Sequence, residues 1–250
     1  MENLDIFIGT YKEFEQRVTN DSYKIIVGKH DINNNSSLTM YKCEISNDKL
    51  DDRFYSEIYM LKCIVDKVPL KEYVGFCHYR KYFDFMDNIP DMDDIFKEYD
   101  VICAKKLMLR NSVREQYGKC HYNKDLDIVE GIIKDKFPEY YESFETVMNR
   151  KWMYPYNMVI MKRDDFKEYI NFIYSVLKEF TNIIGTDIEK RINDNKQCYL
   201  KRYSPNNTVE YQYRMGGYIA ERLTNVYIQK KFSKIKEYQV KITESKYKKA

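Results

Sequence analysis

Short uncharged apolar runs alternate along this chain with longer stretches in which apolar residues return every three or four positions. Ile6-Phe7-Ile8, closed by Gly9-Thr10, and residues 23–27 (YKIIV), closed by Gly28, read as buried strands. Residues 30–38 (HDINNNSSL) are polar and read as a loop. Phe54, Ile58, Leu61 and Val65 predict a helix, with Asp51 or Asp52 available as N-cap and Pro69 after its end. Residues 73–77 (YVGFC) form another uncharged run of strand length, which stops at His78-Tyr79-Arg80-Lys81. Residues 91–99 predict a short helix, 101–104 a strand, and 105–122 an irregular stretch. Leu126, Val129, Ile132 and Ile133 mark a helix that stops near Phe137-Pro138, and 140–148 continue helically. Residues 158–161 read as a strand, followed by an amphipathic helix on Phe166, Tyr169, Ile170, Ile173, Val176, Leu177 and Phe180. Residues 194–209 read as a loop, and Met215, Ile219, Leu223 and Val226 mark a last long helix.

This alternation predicts an α/β fold with a mostly parallel central sheet flanked by helices. One domain is expected over residues 1–230, followed by a basic tail at 231–250. In open α/β sheets, ligands bind beyond the carboxyl ends of the strands. The groups to inspect are therefore Thr10-Tyr11-Lys12, residues 28–35, residues 78–81, Lys105-Lys106 and Lys162-Arg163.

Composition removes several classes. No stretch free of charged residues exceeds ten positions, against the roughly 20 apolar ones that a membrane span needs. The first residues show no basic, apolar leader, so a cytoplasmic chain is expected. The six cysteines lack paired spacings, which favours thiols used as small core residues over zinc ligands. The 42 basic residues are nearly balanced by 39 acidic ones and interleaved with them, which argues against a nucleic-acid-binding surface. Only the tail is a clear basic run, with eight lysines after position 229 against Glu237 and Glu244. It is either a solvated terminus or a contact to anionic lipid at the inner face of a membrane.

The sharpest motif is YVGFCHYRKYF at 73–83. His78 and Arg80 are two apart, so while the chain stays extended they share one face. Arginine offers a fork suited to phosphate, and histidine a donor or proton carrier. This motif resembles the HYR-x-YF signature of a bacterial glycosyltransferase family from capsular-polysaccharide and lipopolysaccharide gene clusters, long catalogued as a domain of unknown function. IFIGTYK, FYSEIYMLKCIV, YDVICAKK, QYGKCHYNKDLD, FPEYYESFETVM, YPYNMVIMKRDDF and YRMGGYIAERLTNVYI follow the same family's order, over roughly residues 4–230. The resemblance implies a glycosyltransferase-A-like fold and a nucleotide-sugar donor, a UDP-sugar such as UDP-galactofuranose or another hexose. Such folds usually carry a metal-binding Asp-x-Asp at the end of a middle strand, where this chain holds His78-Tyr79-Arg80. Arg80, with Lys81, is expected to replace the metal against the pyrophosphate, with His78 beside them. Asp84 and Asp87 keep Mn²⁺ or Mg²⁺ as the alternative.

Other candidates follow from position. Thr10, Tyr11 and Lys12 are expected at the nucleotide, with Tyr11 stacking on the base, and His30 at the ribose. Tyr117, His121 and Asp125, spaced by four, would share a helix face as acceptor-binding or basic groups. The alternative makes Asp125 a helix cap. Asp91, Asp93 and Asp94 read as N-terminal helix charges. On the last helix, Arg214, Tyr218, Glu221 and Asn225 form a polar stripe, with Arg222 adjacent. Gly216-Gly217 at its start suggests a close backbone approach to a ligand or a neighbouring element. By resemblance, Arg214 meets the donor, Glu221 is a catalytic candidate with His78, Arg80 and Asp125, and Asn157 and Tyr218 meet the substrate. The expected function is sugar transfer to a glycan or lipid-linked acceptor in surface-polysaccharide synthesis. A nucleic-acid-binding module and an inactive glycosyltransferase-like partner protein are the alternatives.

Overall fold

The computed structural model describes residues 3–28, 36–43, 50, 52–201 and 208–243. The first half of the chain runs through β1 (Leu4–Thr10), β2 (Tyr23–Val27), β3 (Met40–Lys42), α1 (Asp52–Tyr55), α2 (Glu57–Lys67), β4 (Tyr73–His78), β5 (Lys81–Phe83) and α3 (Met92–Glu98). It continues through β6 (Val101–Ala104), β7 (Leu107–Met108), α4 (Val113–Cys120), α5 (Lys124–Lys136) and α6 (Tyr141–Asn149). The remainder comprises β8 (Trp152–Met153), β9 (Val159–Lys162), α7 (Arg163–Ile184), α8 (Ile188–Asp194), α9 (Lys196–Tyr199), α10 (Val209–Tyr213), α11 (Met215–Lys231), β10 (Ile235–Tyr238) and β11 (Val240–Ile242).

The central sheet has the order β10-β6-β9-β4-β1-β2-β3. β1, β2, β3 and β4 are parallel, β10 is parallel to β6, and β9 runs antiparallel between β4 and β6. Successive side chains enter opposite cores. Phe7, Val74, Phe76, Val101 and Cys103 face a layer built with the helices, including Leu61, Ile173 and Leu223. Leu4, Ile6, Ile8, Ile102 and Ile160 face a second layer closed by Phe14, Val18 and Phe96. Because both faces are covered, the strands read as uninterrupted apolar runs. None of the six cysteines forms a disulfide, and Cys43, Cys63, Cys77 and Cys103 are buried. Among the described residues no helix is long and apolar enough to cross a membrane.

Three stretches differ from expectation. Residues 105–122 are ordered as β7, paired with β8, and as α4, which opens on a Ser112–Glu115 capping box. Only Val113 and Tyr117 of α4 are buried, too few to show a helical period. Residues 194–209 contain α9 and the start of α10, each shorter than two turns. The segment after Lys231 returns to the sheet: β10 lies beside β6, and β11 pairs with β5. Both strands are edge-like and short, and their lysines masked the alternation.

Candidate active site

The register of β1 on β4 sets Gly9 opposite His78, so the segments that follow the two strands emerge side by side. After β1, the buried Thr10 donates from Oγ1 to the Lys12 carbonyl (2.6 Å) and accepts from the Lys12 amide (3.3 Å), which tightens the turn. This turn carries Tyr11 against Arg214, whose guanidinium lies 5.9 Å from the ring centre. The exposed Lys12 sits over the Tyr79 ring.

After β4, the chain does not stay extended. It turns at Tyr79-Arg80 and pairs His78 with Lys81 across an antiparallel hairpin. Opposite residues in such a pair share a face. Lys81 therefore stands beside His78, while Arg80 is exposed at the turn with its guanidinium 5.1 Å from its neighbour's ring. The expectation that His78 and Arg80 share a face is corrected: a two-residue turn replaces the strand extension on which it rested. β11 braces the hairpin, and the Thr243 amide donates to the Arg80 carbonyl (3.0 Å).

The centre of the cluster is a residue that the sequence did not single out. Glu57 opens α2 and is 6 % exposed. Its Oε1 accepts from Asn157 Nδ2 (2.7 Å) and lies 3.9 Å from His78 Nε2. Asn157 Oδ1 in turn accepts from Thr224 Oγ1 (2.7 Å). His78 Nε2 is 2.8 Å from the Tyr156 carbonyl. A carbonyl only accepts, so Nε2 carries the proton and Nδ1 the lone pair. Glu221 accepts from the Tyr156 amide (3.0 Å) and from Arg222 Nη1 (3.1 Å), which pins the other side of the same turn.

Gly216-Gly217 is explained by a neighbouring element. A Cβ on Gly216 would lie 2.7 Å from the Phe54 carbonyl oxygen, and one on Gly217 would lie 2.7 Å from Ser56 Cβ. The start of α11 therefore presses its backbone onto the α1–α2 junction and brings Arg214 Nε to 3.5 Å from Ser56 Oγ.

The electrostatics follow from this packing. Burial pushes the His78 pKa down, helped by Lys81 and Arg214 and opposed by Glu57 and the Tyr156 carbonyl. Burial, then Arg80 and Arg214, also lowers Lys81, against the pull of Glu57 and Glu221. Burial opposes the Arg214 charge, but Tyr218, Tyr11 and Glu57 hold its pKa above the ordinary value. Burial drives the Tyr11 and Tyr218 phenols well up, so both remain O–H donors. Neither hydroxyl makes a well-formed hydrogen bond among the described residues, although Ser56 and Tyr211 lie nearby. Two donors thus flank one guanidinium at the carboxyl edge of the sheet.

The remaining candidates lie apart from this cluster or serve the scaffold. Tyr117, His121 and Asp125 do not share a helix face, because α4 ends at Cys120 and α5 begins at Lys124. Tyr117 is buried beneath Arg222. His121 is buried, its Nδ1 2.9 Å from Gln212 Oε1 and its ring stacked 4.2 Å from Tyr218; burial pushes its pKa down to about 3. Asp125 accepts from Arg191 (2.6 Å) and Tyr199 (2.9 Å), and burial raises its pKa to about 6 against their pull. It touches no residue of the cluster and does not cap α5, where Asn123 takes the cap position. Asn225 holds Arg150 and the Tyr154 backbone. Asp91 caps α3, and Asp87 accepts from the Thr19 and Asn20 amides. Among the described residues, no three His, Cys, Asp or Glu side chains converge as a metal-holding group. His30 lies outside the described residues.

The family model DUF4422, described as a domain of unknown function, matches residues 5–232. Among solved structures, the fold is similar to that of the apo WbbM bifunctional glycosyltransferase, with a TM-score of 0.72 and 20% sequence identity over 98% of this chain. The likeness at that identity is one of fold, and the chain spans 46% of the length of that protein. No curated protein matches the chain significantly.

Proposed function

We propose that this chain, which belongs to the DUF4422 family, transfers a sugar from a nucleoside-diphosphate donor, a UDP-sugar, to a glycan or lipid-linked acceptor. One observation carries the reading. Arg214 stands between the two unpartnered phenols of Tyr11 and Tyr218, with Lys81 in the same field, beyond the carboxyl ends of two parallel strands. Negative charge develops on the diphosphate as the glycosidic bond breaks, and donors already aimed at it stabilise that charge without reorganisation. Arginine and tyrosine O–H groups suit phosphate oxygens. The fold shared with a bifunctional glycosyltransferase supports the same reading.

The cations take the part that a divalent ion plays elsewhere. Half-buried Lys81 and exposed Arg214 lie in the field of Glu57, while Arg80 and Lys12, also exposed, stand beside Tyr79. Hard cations favour free carboxylate oxygens. Here an oxygen of Glu57 is held by Asn157, and both oxygens of Glu221 are occupied by Tyr156 and Arg222. A Tyr11 ring packed on Arg214 offers the nucleotide a flat, cationic wall.

Calorimetry with UDP, GDP and CMP and their sugars, with and without Mn²⁺, tests the reading. Arg214→Ala and Lys81→Ala are each expected to weaken UDP binding by about 10- to 100-fold, the worth of a charged hydrogen bond. Melting temperatures should hardly move. Variants that bind UDP like the wild type would refute the assignment. Turnover abolished by EDTA and restored by Mn²⁺ would transfer the charge-neutralising role to a metal.

A further inference from the structure

A diphosphate site needs cations, and Glu57 opposes them. Its buried carboxylate weakens the field of Lys81 and Arg214 at the point where that field is needed. The backbone is nevertheless shaped around it. Four non-glycine residues among those described have positive φ, and three of them border Glu57: Ser56 (53°), Tyr156 (71°) and Asn157 (54°). Such conformations cost of order 1–3 kcal/mol each, and they cluster where geometry serves function. Ser56 precedes the carboxylate in the chain, Asn157 donates to it, and the Tyr156 carbonyl receives the His78 proton beside it. The strain therefore fixes the relation between one carboxylate and one imidazole.

We propose that His78 accepts the proton of the attacking acceptor hydroxyl through Nδ1, and that Glu57 is its positioning residue. This deepens the transfer reading above and rests on it. The acceptor oxygen bonds to the anomeric carbon as the bond from that carbon to the diphosphate oxygen breaks. The electron pair leaves with the nucleoside diphosphate, and the hydroxyl proton moves to Nδ1. The imidazolium so formed keeps Nε2–H on the Tyr156 carbonyl at 2.8 Å and faces Glu57 at 3.9 Å, which compensates its charge. The arrangement parallels a general base oriented by an acidic group on its far nitrogen.

The groups around His78 also make the base respond to the donor. Glu57 from α2 favours the imidazolium, as does the Tyr156 carbonyl, whereas Lys81 from β5 and Arg214 at the start of α11 disfavour it. The Phe76 ring packs edge-on at 4.9 Å and carries no charge. A bound diphosphate neutralises Lys81 and Arg214 and leaves Glu57 dominant. His78 therefore becomes a stronger base once the donor is in place.

The chain has three histidines, so side-chain ¹⁵N resonances can be assigned by single substitution and followed with pH. The free protein should show His78 as the Nε2–H tautomer, titrating below the ordinary histidine value. Glu57→Gln should lower that midpoint by about 1 pH unit, and saturating UDP should raise it. In turnover, the acid limb of kcat/KM should shift downward with Glu57→Gln, and His78→Asn should lose about 10²- to 10⁴-fold. An Nδ1–H tautomer, or a Glu57→Gln protein whose midpoint and acid limb stay in place, overturns the proposal. If His78→Asn does not fold, the tautomer and the Glu57→Gln shift still decide it. Absence of turnover with every sugar nucleotide sinks the transfer reading and this role together. Turnover accompanied by the wrong tautomer sinks only this role.

Discussion

His78 and His121 invite comparison, because each is hydrogen-bonded, each has its pKa lowered by burial, and each neighbours tyrosines. Their surroundings separate them. His78 ends a central strand, half-buried, among Glu57, Lys81 and Arg214, beside backbone in left-handed conformations. His121 caps α4, buried under Tyr218, with a neutral amide as its partner, and the carboxylate nearest it in sequence, Asp125, gives its Oδ1 to Arg191 and Tyr199. One group places strained backbone and a carboxylate among cations, while the other rests on neutral partners between helices, with Tyr218 touching both. A buried histidine thus says little by itself, and the charge and backbone geometry around it say more.

The contrast is sharpest in stability. Asp125→Ala strands Arg191 without its buried partner and is expected to cost about 3–5 kcal/mol in urea unfolding, with UDP affinity of the folded protein unchanged. A stable Asp125→Ala protein that no longer binds donor would erase the distinction between the two groups. Gly217→Ala tests the strained group from the scaffold side. Its Cβ would meet Ser56, so a loss of about 1–3 kcal/mol is expected, with turnover falling further because Ser56 precedes Glu57. The same loss of stability with unimpaired turnover would show that the α1–α2 junction does not govern the site.

The smallest effect is a pH slope from His121. Its folded pKa, about 3, lies below the unfolded value near 6.5, so unfolding takes up a proton as the pH falls. That contribution to stability is complete above pH 6.5 and is lost on acidification, by about 1 kcal/mol between pH 6.5 and 5.5. His121→Gln should flatten this part of the stability curve, as measured by denaturation at several pH values. A slope that survives the substitution would assign it to other groups.

Much of the layered architecture is legible in the chain, because strands buried on both faces leave uninterrupted apolar runs and helices leave a 3.6-residue stripe. α4 and the two last strands are not legible, since each buries too few residues to set a period. Of the cluster, Tyr11, His78, Lys81, Arg214 and Glu221 can be placed from their positions after strands and along α11. Glu57 escapes because, in a helix expected to begin at Asp51 or Asp52, a single acidic residue off the apolar stripe reads as a solvated position. The available signal is that it is the only charged residue between Phe54 and Leu61.

Periodicity and composition alone determine the order of the main buried strands and the longer amphipathic helices, thiols used as core residues, and the presence of cations after the strand that ends at His78. Which of those cations turns inward is decided only in three dimensions. A two-residue hairpin braced by β11 sends Arg80 to solvent and Lys81 to the side of His78. Glu57 and Asn157 stand 100 residues apart and meet at 2.7 Å. Local patterns report burial over a few neighbouring positions. Contacts between distant segments depend instead on sheet register and helix packing, which short-range periodicity does not encode.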